Sequence, residues 1–392
     1  MAGRRRYYFD QAATSPLADR ARAYLLDCLA KGEEGSNSSS LHREGRQAAR
    51  RFREARRLLA RLLGLQEGQR IHFCSGGTEA DNWVLQGFYE GQRQKGREAC
   101  LLASATEHHA VLETLEALQW RGALAKVLPV SSAGLLDLAA LEEALERAQQ
   151  AGQRVLLALH WANNETGAVQ DMPRVRQLCQ AYGAYLYSDA VAAVGELDLG
   201  AEVGAIDGLG ASGHKFGAPI GTGFLVVNAE LEAELAPLIY GGAQEGGLRA
   251  GTQNADLAMA MALALEERLG QLEARQAHIR ALREAFLSRM AGLLTSGRCA
   301  HVPVAEPQLE SHLVLLFPNQ IGEELGQKLD QRGFALSSGS ACQAGLAQPS
   351  HVLLAMGYSY ARAQQSLRIC FSETQDEEAV LALARAFEAL LA

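Results

Sequence analysis

The strongest constraint in this sequence is a rhythm. Through the first two-thirds of the chain, short apolar runs ending in polar or glycine-containing turns alternate with longer stretches of helical periodicity. Such alternation is the pattern of a layered α/β sheet. The expected strands are Arg70 to Cys74, Ala99 to Ser104, Arg154 to His160, Ala184 to Asp189, Gly208 to Ser212 and Gly223 to Asn228. Helical stretches between them include Thr78 to Glu90, His109 to Trp120, Asp137 to Gln150 and Pro173 to Tyr182. From Ala255 to about Leu293 the sequence reads as one long Ala/Leu/Arg/Glu-rich helix. The runs His312 to Phe317 and Ala335 to Ser338 then suggest a smaller second unit, with the boundary near the start of that helix. Several strands end in ionisable residues, where open α/β sheets place their ligands.

Composition narrows the class further. A chain of 392 residues with 48% apolar and 21% charged residues is neither disordered nor collagen-like and can bury more than one core. A net charge of −8 repels phosphate backbones and anionic membrane surfaces, so neither nucleic acid nor membrane is an expected partner. Seven cysteines without a C-x-x-C pair argue against a disulfide framework or a zinc ribbon and for a reducing compartment, with no metal site expected. Arg4, Arg5 and Arg6 are followed by Tyr7, Tyr8, Phe9 and Asp10 rather than an apolar run, so a cytoplasmic location without a secretory signal is expected. Glu33 to Ser40 reads as a loop.

Chemistry concentrates at the strand ends. Lys215, in Ser212-Gly213-His214-Lys215, is a surface lysine or a Schiff-base lysine, which needs its amine near a carbonyl cofactor. Asp189 closes an earlier strand as a capping residue or as the partner of a protonated pyridine nitrogen. Cys74 to Ala80 gives a strand, a small-residue turn and a helix start, suited to an ordinary cap or to a phosphate. His108 is placed to stack on a flat ring, and Asn163 and Asn164 to bond a hydroxyl or carboxylate; either segment also reads as structural. Cys28, Cys100, Cys179, Cys299 and Cys370 read as inert core fillers, whereas Cys342 lies in a small-residue loop suited to a nucleophile. Arg368, within an apolar stretch, needs a carboxylate, which a bound amino acid would supply.

Taken in order, these segments resemble the NifS/IscS-type cysteine desulfurases of the class V aminotransferase family, which depend on pyridoxal 5′-phosphate. The resemblance covers essentially the whole chain. It rests on Phe9 to Pro16, Gly35 to Arg46, Ser75 to Asn82, Thr106 to Leu112, Asn163 to Asp171, Ser212 to Lys215, Gly247 to Thr252, Ser337 to Cys342 and Ser366 to Arg368. It implies a fold type I, aminotransferase-like large domain with a mainly seven-stranded sheet and a smaller α+β domain. Residues 15–255 would bind the cofactor, and residues 1–14 and 256–392 would form the small domain carrying the Cys342 loop. Lys215 would be the Schiff-base lysine and proton carrier, Asp189 would pair with the pyridine nitrogen and His108 would stack on the ring. Gly77, Thr78, Ser212 and His214 would hold the phosphate, with Thr252 reaching it from the partner subunit of a homodimer. Asn164 would face cofactor and substrate, Arg368 would clamp the substrate carboxylate, and Cys342 would take the sulfur of L-cysteine as a persulfide for an acceptor protein in iron–sulfur assembly or tRNA thiolation. The chain departs from the family pattern at Ala192, usually Gln, at Gly246, usually Arg, and at Ser38, usually Pro. Two alternatives accompany this reading: a selenocysteine lyase or other β-lyase, and a low-activity scaffold that binds the cofactor.

Overall fold

Strands covered on both faces carry near-continuous apolar residues, and the centre of this molecule is built from them. The computed structural model describes residues 6–32, 36–337 and 348–391. Its strands are β1 (Tyr7–Tyr8), β2 (Arg70–Cys74), β3 (Ala99–Ser104), β4 (Leu124–Leu128), β5 (Arg154–Ala158), β6 (Tyr185–Asp189), β7 (Gly208–Ser212), β8 (Gly223–Val227), β9 (Ala300–His301), β10 (His312–Leu316), β11 (Phe334–Ala335) and β12 (Ser366–Cys370). The main sheet has seven strands in the order β2-β8-β7-β6-β5-β3-β4. Strand β8 runs antiparallel to both neighbours while the other pairs are parallel, so the C-terminal ends of β2 to β7 share one edge.

Helices cover both faces of this sheet. Arg43–Leu62, Leu138–Gln150, Met172–Ala181 and Ala255–Gly270 share one core with the sheet, including Phe52, Leu59, Val175, Leu265 and Leu209. Gly77–Gln94 and His109–Trp120 cover the other face, with Trp83, Phe88 and Leu115 packed against Leu101 and Leu225. Full burial of each large apolar side chain contributes about 1.5–3 kcal/mol. A second sheet, β12-β10-β9, packs with Leu272–Thr295 and Glu377–Leu391 around Phe286, Phe371, Phe317 and Phe387, the last two rings stacked at 5.0 Å. Strand β1 pairs in parallel with β11, which ties the N-terminal segment to this second unit. Among the described residues no helix is long and apolar enough to cross a membrane.

Strands β1 and β9 were not expected from the sequence, and four further features differ from its reading. Strand β4 has no counterpart there because it is an edge strand whose Leu124 and Val127 remain exposed around Lys126, which blurs any apolar face. Strand β12 was hidden by Arg368 at its centre. The long helix is two, Ala255–Gly270 and Leu272–Thr295, because the backbone leaves the helical region at Gln271 (φ −114°, ψ 7°) after a helix-weakening glycine. The Ala335 to Ser338 run is shorter than expected: β11 ends at Ala335, Ser337 makes an isolated bridge to Arg368, and Ser338 lies outside the described residues.

The junction between those two helices is clamped to the main sheet. Arg275, 4% exposed, donates to Gly195 O at 3.0 Å and Glu196 Oε1 at 3.1 Å, and lies 3.3 Å from Glu373 Oε2. Arg268 pairs with the same two glutamates. The cluster joins the loop following β6 to the turn following β12, the two segments that flank the site described below. Removing Arg275 leaves both carboxylates to share Arg268 and takes the donor from Gly195 O. Arg275→Ala is expected to cost about 3 kcal/mol of unfolding free energy in a denaturant titration; a loss below about 0.5 kcal/mol would mean that solvent screens the cluster like a surface pair.

Candidate active site

The strand ends of the main sheet open on one cavity of about 310 Å³. Gly77 and Thr78 enter it after β2, His108 after β3, His160 and Asn164 after β5, Asp189 from the end of β6, Ser212 from the end of β7, and His214 and Lys215 just beyond it. Ala12 and Ala13 close it from the N-terminal segment, and Arg368 reaches it from the second sheet. Every expected site residue except Asn163, Thr252 and Cys342 is therefore brought to this cavity. Thr252 is exposed in a separate depression beside Arg249 and Gln253, and Cys342 lies outside the described residues.

Lys215 is placed by strand geometry. Strand β7 runs into a single 3₁₀ turn, Gly213–Lys215, whose first amide bonds Thr222 O at 2.8 Å on the way into antiparallel β8. Its Nζ donates to Ala12 O at 2.5 Å and Ala13 O at 3.0 Å, and its carbonyl accepts from Ser15 Oγ at 2.7 Å. Asp189 ends the neighbouring strand, opposite Gly210 in register, with Oδ1 accepting from Val191 N at 2.9 Å. His108 caps the helix His109–Trp120: its Nδ1 accepts from Ala110 N at 3.1 Å, which occupies that lone pair. Burial lowers the His108 pKa as well, so the ring is a neutral imidazole with its proton on Nε2.

The residues fit pyridoxal phosphate, the cofactor of the resembled family. The helix Gly77–Gln94 begins at Gly76 without any side-chain cap, leaving first-turn amides for an anion. Gly77 is required there by close approach, because an added Cβ would sit 2.3 Å from Val191 Cγ2. Thr78, Ser212 and His214 surround this cradle. A strand-end carboxylate for the ring nitrogen, a flat imidazole for the ring face and an amine for the aldehyde carbon complete the set.

Asp81 and His160 also line the cavity, and the sequence reading assigned neither a role. Asp81, one turn into the helix, accepts from Tyr187 OH at 2.7 Å; burial and nearby Asp189 push its carboxyl well above the usual range. His160 Nδ1 meets Glu107 Oε1 at 2.7 Å; burial opposes the imidazole's charge, but Glu107 more than offsets this and raises its pKa. Asn163 is consumed by its own turn, accepting from Glu165 N and Thr166 N and donating to Thr106 O, so only Asn164 of the pair faces the cavity. Arg368 has found a carboxylate within the chain, Asp10, at 2.7 Å, rather than waiting for a ligand. The helical spacing of Asp81 from Gly77 was the signal available for the first of these groups; Asp10 had only its place in the Phe9 to Pro16 motif.

Two of the three departures from the family pattern have local explanations or consequences. Ala192 lines the cavity and offers no hydrogen bond where the family has an amide. Gly246 (φ 70°) lies between Glu245 (φ 47°) and Gly247 (φ 83°) in a left-handed turn where arginine would be strained. Glu245 holds that turn by accepting from Arg56 Nη2 at 2.8 Å and Phe73 N at 3.0 Å.

Two outcomes follow from this geometry. Gly77→Ala, whose methyl collides with Val191 at the cradle, is expected to weaken pyridoxal phosphate binding at least about tenfold with helix content unchanged, as read by titrating cofactor-free protein; unaltered affinity would place the phosphate elsewhere. His312, buried on β10, is pushed down to about 3 by burial and by nearby Arg368 and Lys215. An unfolded histidine binds its proton near pH 6.5, so the unfolded state gains protons first and stability falls as pH drops from about 6.5 toward 3. Denaturant midpoints should show this slope in wild type and a shallower one in His312→Gln, and parallel slopes would remove His312 as its cause.

The chain matches the aminotransferase class-V family over residues 7–383. It is 35% identical to an IscS-like cysteine desulfurase of Mycobacterium tuberculosis, covering 98% of each chain. It is 36% identical to a putative cysteine desulfurase IscS 1 of Bacillus subtilis, covering 97% of each. Among solved structures, a NifS-like protein superposes with a TM-score of 0.87 at 29% identity, over 98% of this chain and 99% of that one. Near-full-length coverage together with the strand-end cavity places this chain in the class V aminotransferase family, whose NifS/IscS members use pyridoxal phosphate.

Proposed function

We propose that this chain is a pyridoxal-phosphate-dependent L-cysteine desulfurase that converts L-cysteine to L-alanine and passes the sulfur on as a persulfide of Cys342. The observation that carries the reading is the meeting of Lys215, Asp189, His108 and Arg368 in one cavity. The cofactor, when bound, supplies an electron sink for the pair left at the substrate α-carbon. Lys215, aimed by the Ala12 and Ala13 carbonyls, takes the α-proton. Arg368 receives the α-carboxylate, with its guanidinium oriented by Asn164 O at 2.8 Å. Neutral His108 covers one ring face without adding charge.

The Cys342 thiolate attacks the substrate sulfur: an S–S bond forms as the C–S bond breaks, and the released pair stays on carbon, which is protonated to give alanine. Cysteine and enzyme thiol become alanine and enzyme persulfide, and no outside oxidant is consumed. We further propose a cytoplasmic homodimer in which Thr252 of the partner subunit completes the phosphate site. The persulfide would pass to an acceptor protein serving iron–sulfur assembly or tRNA thiolation.

Incubation of the holoenzyme with L-cysteine is expected to give alanine and, by mass spectrometry, one added sulfur on Cys342; Cys342→Ala should abolish sulfide release. Turnover unchanged by Cys342→Ala would indicate a β-lyase such as a selenocysteine lyase, and bound cofactor with neither alanine nor a sulfur adduct would indicate a scaffold.

A further inference from the structure

Arg368 is almost fully buried, yet it already has a carboxylate. Its Nη2 donates to Asp10 Oδ1 at 2.7 Å, its Nη1 donates to Asn164 O, and its Nε has no hydrogen-bond partner among the described residues. The Arg368 side chain is 5% exposed and that of Asp10 is 18% exposed, so only the aspartate has appreciable access to water. The backbone around Asp10 is fixed without help from its side chain: Phe9 N bonds Ala335 O, Cys370 N bonds Phe9 O and Ala13 N bonds Asp10 O. Farther along the same segment, Ala12 and Ala13 hold Lys215.

An unpaired guanidinium at this depth is costly, and Asp10 removes that cost. An arriving α-carboxylate therefore meets a neutralised pair, not an open positive charge. It must displace Asp10 toward solvent or place a second negative charge beside it in a poorly screened pocket. We propose that Asp10 is a resident competitor for the carboxylate position on Arg368: a positioning residue that orients the guanidinium beforehand and sets how weakly the amino acid binds. This rests on reading Arg368 as the carboxylate site in the proposed function.

The test is calorimetric binding of 3-mercaptopropionate to the holoenzyme, a probe with the carboxylate and thiol of the substrate but no amine to react with the cofactor. Asp10→Asn keeps an oxygen acceptor and loses the charge, and is expected to bind the probe at least about tenfold more tightly than wild type. Asp10→Glu, which restores the charge, should return to within about threefold of wild type. The uncharged methyl ester should bind both proteins alike. With L-cysteine, KM should fall in Asp10→Asn without a matching rise in kcat, a split that simple loss of packing would not produce. Probe binding unchanged or weakened in Asp10→Asn, with Arg368→Lys still abolishing it, overturns the role of Asp10 alone. Probe binding no better than that of the ester in any variant overturns the carboxylate reading of Arg368 and this inference with it. Should Asp10→Asn melt with wild-type cooperativity lost, the comparison of Asp10→Glu with Asp10→Ser decides by the same criterion: tighter binding in the uncharged variant supports the proposal, and equal binding overturns it.

Discussion

The hydrogen-bonded ladder between β6 and β7 is the constraint on which the rest of this site depends. Asp189 faces Gly210 in register, and Ala190 N bonds Gly210 O at 2.9 Å, so the carboxylate at the end of one strand and the turn carrying Lys215 beyond the next are set by adjacent backbone. Rigid parallel strands buried on both faces offer few ways to relax, and groups at their ends inherit that precision. The remaining parts, from the uncapped helix at Gly77 to the imidazole of His108, are added around this pair by neighbouring strand ends.

The second unit contributes through contacts that cross to the first. Arg368 comes from β12, its partner Asp10 from the segment after β1, and Asn164, whose carbonyl it grips, from the loop after β5. The Arg268 and Arg275 cluster bonds Glu196 and Glu373 and so holds the two units together close behind the cavity. Charge in this protein is buried chiefly where two segments must keep a fixed relation. The cost of leaving either partner alone enforces that relation.

Much of the architecture was legible in the residues because the parallel strands β3, β5, β6 and β7 are hidden on both faces and therefore read as short, mostly apolar runs with polar ends. Edge strand β4 escaped because its exposed side chains follow neither periodicity, and β12 because a buried ion pair looks like a polar interruption until its partner is known. The break at Gln271 turns on a single residue's dihedral angles, which propensity summed over a long helical pattern does not resolve. At the site, each strand-end motif was ambiguous by itself, and a structural role was as good a reading for His108 as for Asn163. The fold separates those two: one faces the cavity and the other is spent on its own turn. Asp10 could not be assigned because its partner is distant in sequence, and such pairings are properties of the tertiary structure.

The central claim is that a single lysine and a single carboxylate flank one heterocycle. Reducing the purified holoenzyme with borohydride and mapping its peptides tests this most directly. A pyridoxyl group found on Lys215, and absent when the same treatment is applied to Lys215→Ala, is the predicted result. Label on another lysine in the wild-type protein, or none despite stoichiometric bound cofactor, would contradict the account.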